Sequence, residues 1–326
     1  MNRLAAVCAV LMLAACSMPG TQQPAPATLR AESRVDSDAS SSALLYVSDW
    51  GTNQVFMYDF STKALVGKLK GFDGPYGECV DAGGNVWIAD LNGSAILQYA
   101  HGATKPSRRL RTSGTPIGCA INTNNGDLAV ANFSTTAGKG NIQVWPGARV
   151  PSKTYQPAKY YYLWPPAYNA TGDLFAEGQV LNGAYGLTEL PKGASALRSV
   201  KLGGVTIHYA GGVFWDGHAL GVTDQNAGND NTTTIYRMTF KGANGRLVGR
   251  THLTDTCNKD YADVVTPFPV RTNGTTTEVI GGNLWCAHRF DYWKYPAGGT
   301  PTSQLPKAPE EPFGESVSPA RKAGSD

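Results

Sequence analysis

The sequence predicts an all-β protein built from repeated four-stranded units. Three observations carry that reading: a strand motif that recurs six times, a Gly- and Pro-rich composition, and period-two hydrophobic alternation with no long helical stretch. The motif reads Leu45-Tyr-Val-Ser-Asp49, then Val86-Trp-Ile-Ala-Asp90, then Leu128-Ala-Val-Ala-Asn132. Looser copies begin at Leu174 (LFAEG), Leu220 (LGVTD) and Val279 (VIGGN). Successive starts are 41, 42, 46, 46 and 59 residues apart, a period that means a propeller, a solenoid or an array. The 38 glycines and 20 prolines in 326 residues suit many tight turns between short strands.

Charge narrows the function classes. Lys plus Arg is 28 and Asp plus Glu is 25, a net of +3. That balance does not imply a nucleic-acid surface.

The first fifteen residues read as a signal peptide. Met1-Asn-Arg3 is a short positive region, and Leu4 to Ala15 is an apolar run of the length of a signal core, too short to span a bilayer. The run ends Leu13-Ala-Ala-Cys16, which resembles the bacterial lipobox. That resemblance implies lipidation of Cys16 with acyl chains such as palmitate, and Ser17 after it favours the outer membrane over the inner one. The competing expectation is an ordinary secretory signal. Residues 16–42 are rich in Pro, Ala, Ser, Thr and Gln and are expected to form a disordered tether, because they offer too little apolar surface to offset ordering.

The repeated units follow over residues 43–319, with 320–326 as a disordered tail. The second copy is the cleanest: Pro75-Tyr-Gly-Glu-Cys-Val-Asp81, an Ala-Gly-Gly-Asn85 turn, Val86 to Asp90, a short loop, and Ala95-Ile-Leu-Gln-Tyr99. The third agrees, with Pro116-Ile-Gly-Cys-Ala-Ile-Asn122, a Gly126-Asp127 turn, Leu128 to Asn132 and Asn141-Ile-Gln-Val-Trp145. These units resemble the NHL repeat, whose blades read P-x-G-φ-φ-φ-D-x-x-G-N-φ-φ-φ-A-D with φ apolar. The resemblance is good over residues 44–147 and decays beyond. It implies a six-bladed, NHL/TolB-like β-propeller. Ile235-Tyr-Arg-Met-Thr-Phe240 and Phe290-Asp-Tyr-Trp-Lys-Tyr295 still alternate as third strands should. The chain enters at a second strand, Leu44 to Asp49. Its missing first strand is expected at the far end, where Pro312-Phe-Gly-Glu-Ser-Val-Ser318 imitates Pro75 to Asp81. Such closure leaves only short, protected edges. Two separate β-sandwiches are the competing architecture.

Cys8 leaves with the signal peptide and Cys16 would carry lipid, leaving Cys79, Cys119, Cys257 and Cys286. An even number in an exported chain suggests disulfides, and four cysteines allow three pairings. Aligned on Pro-x-Gly, Cys119 matches Glu78 and Cys79 lies one step later. The two therefore have opposite parity on adjacent inner strands and point at each other. The expectation is Cys79–Cys119 with Cys257–Cys286; four buried free thiols are the alternative. No C-x-x-C or Cys/His cluster suggests zinc.

Glu78, Asp263 and Glu315 align at one register of neighbouring inner strands. Three carboxylates beside one channel repel unless a cation, an Arg or a proton compensates, and oxygen ligands suit Ca²⁺ or Mg²⁺. The competing expectation is that each carboxylate caps a loop of the adjoining blade. Six-bladed propellers include calcium-dependent lactonases of the gluconolactonase type, which use a Glu, two Asn and an Asp. Asn169 and Asp216 assemble a loose version, without the Pro-Asn-Gly and Pro-Asp-Gly contexts usual in that family. Amidating-lyase propellers use histidine-bound zinc, but His101, His208, His218, His252 and His288 occupy no matching repeat position. No nucleophile motif or nucleotide fingerprint stands out.

The middle of the chain is rich in aromatic residues: Tyr160, Tyr161, Tyr162, Trp164 and Tyr168 lead into the fourth unit, and Trp215 sits in the fifth. Tyr161, Trp164, Tyr168 and Trp215 are candidates for a sugar- or peptide-stacking platform; packing between enlarged units is the alternative. The functional expectation is a lipid-anchored, non-enzymatic binding scaffold in the cell envelope. Its partners are the membrane, through the lipid, and an envelope protein, peptide or glycan. A metal-dependent lactonase, hydrolase or lyase is the alternative.

Overall fold

The computed structural model describes residues 34–35, 41–228, 232–254, 264–272, 275–283, 289–306 and 309–320. The signal segment, Cys16, most of the tether and residues 321–326 lie outside these, as do Cys257, Asp263, Cys286 and His288.

Strands dominate the described residues and form five hydrogen-bonded sheets. The first runs Arg34–Val35, Leu65–Leu69, Gln54–Asp59, Leu44–Asp49 and Pro312–Ser318. The closing strand is thus the one the sequence indicates: Leu45 pairs with Val317 and Val47 with Glu315, antiparallel. Arg34–Val35, from the segment expected to be a tether, adds a short outer strand beside Leu65–Leu69. The second sheet is Pro75–Val80, Val86–Asp90, Ala95–Tyr99 and Arg108–Arg111. The third is Gly114–Ile121, Leu128–Thr135, Asn141–Trp145 and Lys153–Tyr155. Another sheet of four holds Val264–Thr272, Thr275–Asn283, Arg289–Lys294 and Ser303–Gln304.

The remaining sheet has nine strands and departs from the simple repeat. Tyr162–Leu163 and Ala167–Tyr168 both pair with Leu174–Gln179, followed outward by Tyr185–Leu190 and Arg198–Gly203. That outer strand then pairs in parallel with Asn244–Leu253, where Lys201 faces Asn244. The sheet returns inward through Thr232–Lys241 and Leu220–Ala227 to Ala210–Trp215. The long ten-residue strands Thr232–Lys241 and Asn244–Leu253 supply the extra backbone that makes this outer seam.

Burial explains why the second strands read as continuous apolar runs. Leu44 and Tyr46 pack on Val86 and Ile88 of the next sheet, whereas Leu45 and Val47 pack on Ile280 and Phe290 of the preceding one. Alternate side chains of one strand therefore enter two different interfaces, and a strand covered on both faces is apolar at every position. Trp87, Trp145 and Trp293 are among the largest fully buried side chains.

The acid that ends the motif has a different task. Asp49 Oδ1 accepts the backbone N–H of Gly51 (3.2 Å) and Glu311 (2.8 Å). Its Oδ2 accepts Thr52 Oγ1 at 2.6 Å and the N–H of Glu310 at 3.2 Å. Asp90 accepts the Asp73 N–H, and Asp224 those of His208 and Tyr209. In these three copies the Asp thus ties down the loop that leads into an inner strand, which is the loop-capping role foreseen for carboxylates at another position. Asp49→Ala leaves four part-buried donors without their acceptor and is expected to cost about 2 kcal/mol in urea unfolding; a loss below about 0.5 kcal/mol, the scale of an ordinary surface change, would contradict this reading.

Candidate functional site: the central channel

Six inner strands stand side by side around one axis. In order they are Pro312–Ser318, Pro75–Val80, Gly114–Ile121, Ala167–Tyr168, Ala210–Trp215 and Val264–Thr272, each beside the next and the last beside the first. They enclose a cavity of about 770 Å³ to which all six contribute residues. Its walls are largely apolar and aromatic, including Tyr168, Phe214, Trp215 and Phe268, with Glu78, Glu315 and Asn169 among the polar groups. That volume and that mixture are usual for a small-molecule site.

Cys79 and Cys119 form a disulfide, with sulfurs 2.03 Å and Cα atoms 5.6 Å apart. The parity argument holds because adjacent inner strands present alternate side chains to each other. Both cysteines line the cavity. The other expected pair, Cys257 and Cys286, lies outside the described residues.

Glu78 and Glu315 follow the same geometry as Cys119, each reaching to the preceding inner strand. Glu78 accepts Ser48 Oγ at 2.7 Å and Ser316 Oγ at 2.8 Å. Glu315 Oε1 accepts the Phe268 N–H at 3.1 Å, within a strand whose register shifts between Val265 and Phe268. A bulge of this kind leaves a backbone donor without a ladder partner, and the carboxyl supplies the acceptor. Glu315 is 4% exposed, and its Oε2 has no hydrogen-bond partner among the described residues. Burial pushes Glu78 up to about 8 against the pull of its two serine bonds. Burial first, and then the neighbouring Glu78, pushes Glu315 well above the ordinary carboxylate range. Glu78 is therefore held mostly neutral at neutral pH, and Glu315 is biased in the same direction.

Asp263, the third carboxylate expected here, lies outside the described residues. Val264 pairs with Asn283 as Pro75 pairs with Asp90 and Pro312 with Asp49. The position equivalent to Glu78 therefore falls after Val265, at the bulge. Among the described residues no group of three or more His, Cys, Asp or Glu is placed to hold a metal ion. Ca²⁺ takes six to eight oxygens, and Glu78 and Glu315 alone do not fit that demand.

The looser lactonase-like set is committed elsewhere. Asn169 and Asp216 lie just past the ends of inner strands, in turns, rather than on the strands themselves. Asn169 Oδ1 accepts the N–H groups of Thr171 and Asp173. Asp216 Oδ1 accepts those of His218 (2.7 Å) and Ala219 (2.6 Å), while Oδ2 accepts Arg237 Nε (2.9 Å) and Tyr295 Oη (2.8 Å). Burial alone would raise Asp216, but these donors outweigh it and hold its carboxyl below the usual range.

The four aromatic candidates do not form one platform. Tyr168 and Trp215 line the channel. Trp164 is buried in a separate cluster, its ring centroid 5.4 Å from Phe133, 5.6 Å from Tyr185 and 6.4 Å from Tyr209. Tyr161 lies under Lys139, whose Nζ is 4.8 Å from the ring.

Sequence reasoning passed over Glu177. It is fully buried in Leu174–Gln179, and its Oε2 accepts the N–H of Gly211 (3.1 Å) and Gly212 (2.6 Å), where the inner strand Ala210–Trp215 shifts register. The signal was present: LFAEG puts Glu where the other strong copies have Ser48, Ala89 and Ala131.

The arrangement is a β-propeller. No family model matches the sequence, and no curated protein matches it. Solved structures do. The chain is similar to a structure of Kuenenia stuttgartiensis hydrazine synthase, with a TM-score of 0.58 at 16% identity over 80% of this chain and 75% of that one. A chain of a nidogen/laminin complex matches with a TM-score of 0.63 at 12% identity, covering 86% of this chain and all of that one. The β-propeller domain of Myceliophteria thermophila Cps50 (Swd1) matches with a TM-score of 0.52 at 15% identity, covering 86% and 88%. At these identities the likeness is one of fold.

Proposed function

We propose that this chain is an exported, lipid-anchored propeller that binds a small ligand in its central channel without transforming it. The observation that carries the reading is the cavity itself, apolar-walled, lined from all six inner strands and bearing two buried carboxyls. We read the nine-stranded sheet as two blades joined along their outer edges, which makes six blades with the other four sheets. The NHL-like motifs support that count. Binding is favoured over metal-dependent hydrolysis because Asn169 and Asp216 are engaged in turns. Leu13-Ala-Ala-Cys16 supports lipidation at Cys16, and Ser17 supports the outer membrane; several acyl chains anchor a protein firmly. An envelope protein, peptide or glycan that presents or receives the ligand completes the proposal.

Two measurements test it. In a two-membrane bacterium, the full-length chain is expected to incorporate a palmitate analogue and fractionate with the outer membrane, and Cys16→Ser to lose both. Labelling that survives the substitution would contradict the anchor. Detergent-purified protein is expected to show ligand-dependent Tm increases in a small-molecule screen. Val80→Trp, which places a large ring on the cavity wall, is expected to abolish them; shifts unchanged by that substitution would place binding elsewhere.

A further inference from the structure

The channel ligand can be narrowed by what the cavity lacks. Glu78 and Glu315 sit on adjacent inner strands, and among the described residues no Lys or Arg lines the cavity. Glu78 is satisfied by two serines. Glu315 has one oxygen committed to the Phe268 N–H and the other, buried, without a donor. A buried polar atom left unpaired is costly, and burial without a counter-charge among the described residues favours the protonated form of both carboxyls. The same cavity carries the rings of Tyr168, Trp215 and Phe268, whose faces attract cations and whose area favours an apolar body. Among the described residues no group of three or more His, Cys, Asp or Glu gathers to hold a bare dication, and an anion would meet two acids.

We infer that the channel takes an organic ammonium ligand, its charged head donating to Glu315 beside Glu78 and its apolar or aromatic body lying against Tyr168, Trp215 and Phe268. The inference rests on the reading of the channel as the ligand site. The ammonium N–H groups supply the donor that Glu315 Oε2 lacks. The positive charge draws the carboxyl pair into its ionised form. The aromatic walls exclude water and discriminate against small inorganic cations, which gain nothing from the apolar surface.

The test is calorimetric titration of the full-length protein with benzylammonium, benzyl alcohol, benzoate and calcium chloride. Benzylammonium is expected to bind at least about tenfold more tightly than benzyl alcohol, the scale of one charge-assisted hydrogen bond, and benzoate and calcium not to bind. Glu315→Gln, which keeps an acceptor for the Phe268 N–H, is expected to erase that preference. Glu78→Gln is expected to reduce the preference, and gives an independent reading if Glu315→Gln does not fold. Equal binding of the ammonium and the alcohol, or a preference that survives both substitutions, overturns the ammonium inference and leaves the channel as a ligand site. Calcium that binds and displaces benzylammonium overturns it in favour of a metal. If none of the four probes binds, the inference and the channel reading fall together.

Discussion

Replacing Cys79 and Cys119 by serine is expected to lower the stability of the propeller by about 4 kcal/mol, the chain-entropy value for a loop of about forty residues. The cystine spans 40 positions of sequence and joins adjacent inner strands beside the cavity. Those strands meet mainly through side chains at the axis, where Gly77 stands so close to the next strand that a Cβ would lie 2.6 Å from the Ile117 carbonyl oxygen. A covalent link there keeps two blades in register when the ring opens. In urea the variant's midpoint is expected to fall and its slope to rise, because the unfolded chain freed of the cross-link exposes more surface. A loss below about 1 kcal/mol would mean that packing of Trp87 against Trp145 and Leu128 already holds the interface alone.

Wild-type stability is expected to fall as pH rises from about 4.5 to about 8, and Glu78→Gln to remove part of that fall. The sign follows from linkage. Glu78 keeps its proton up to about 8 in the folded state, against 4.5 as its ordinary value. Between those limits the folded chain binds one proton more than the unfolded chain, so stability is lost with rising pH at about 1.4 kcal/mol per unit. The contribution is complete below the lower limit and gone above the upper one. Glu315 and Glu177, also raised by burial, act in the same direction. Asp173 and Asp216 are lowered and act oppositely, their contribution disappearing in stronger acid. The Tm maximum is therefore expected in mildly acidic solution. Glu78→Gln keeps hydrogen bonds to both serines without an ionisable proton, so urea midpoints at pH 5 and pH 8 are expected to lie closer together than in wild type. Equal pH slopes in the two proteins would show that Glu78 titrates alike in the folded and unfolded states.

The elements legible in the sequence were those governed by short-range pattern. Leu44–Asp49, Val86–Asp90 and Leu128–Thr135 announce themselves because burial on both faces demands unbroken apolar runs. Closure by Pro312–Ser318 was readable because an inner strand has a fixed order of Pro, Gly and acid, wherever in the chain it falls. The Cys79–Cys119 bond followed from parity alone. Other features depend on irregularities that pattern does not carry. The bulge between Val265 and Phe268 shifts the inner strand's register, a departure that the letters around it do not announce. The parallel seam at Lys201 and Asn244 arises from two unusually long outer strands. Trp164 and Tyr168 are four positions apart yet serve different environments, because Pro165 and Pro166 interrupt the strand between them. Glu177 was visible as an acid in an apolar run, but its meaning depends on the unpaired N–H groups of Gly211 and Gly212 on a neighbouring inner strand.

The channel holds two carboxyls whose burial favours the protonated form. Carbon-13 NMR of the glutamate side-chain carboxyls, assigned through Glu78→Gln and Glu315→Gln, tests it directly. In the ligand-free protein the Glu78 resonance is expected to titrate near pH 8, and that of Glu315 above the ordinary carboxylate range. Two carboxyls titrating near the ordinary value of 4.5 would contradict the account, and with it the argument that the channel awaits a cationic head.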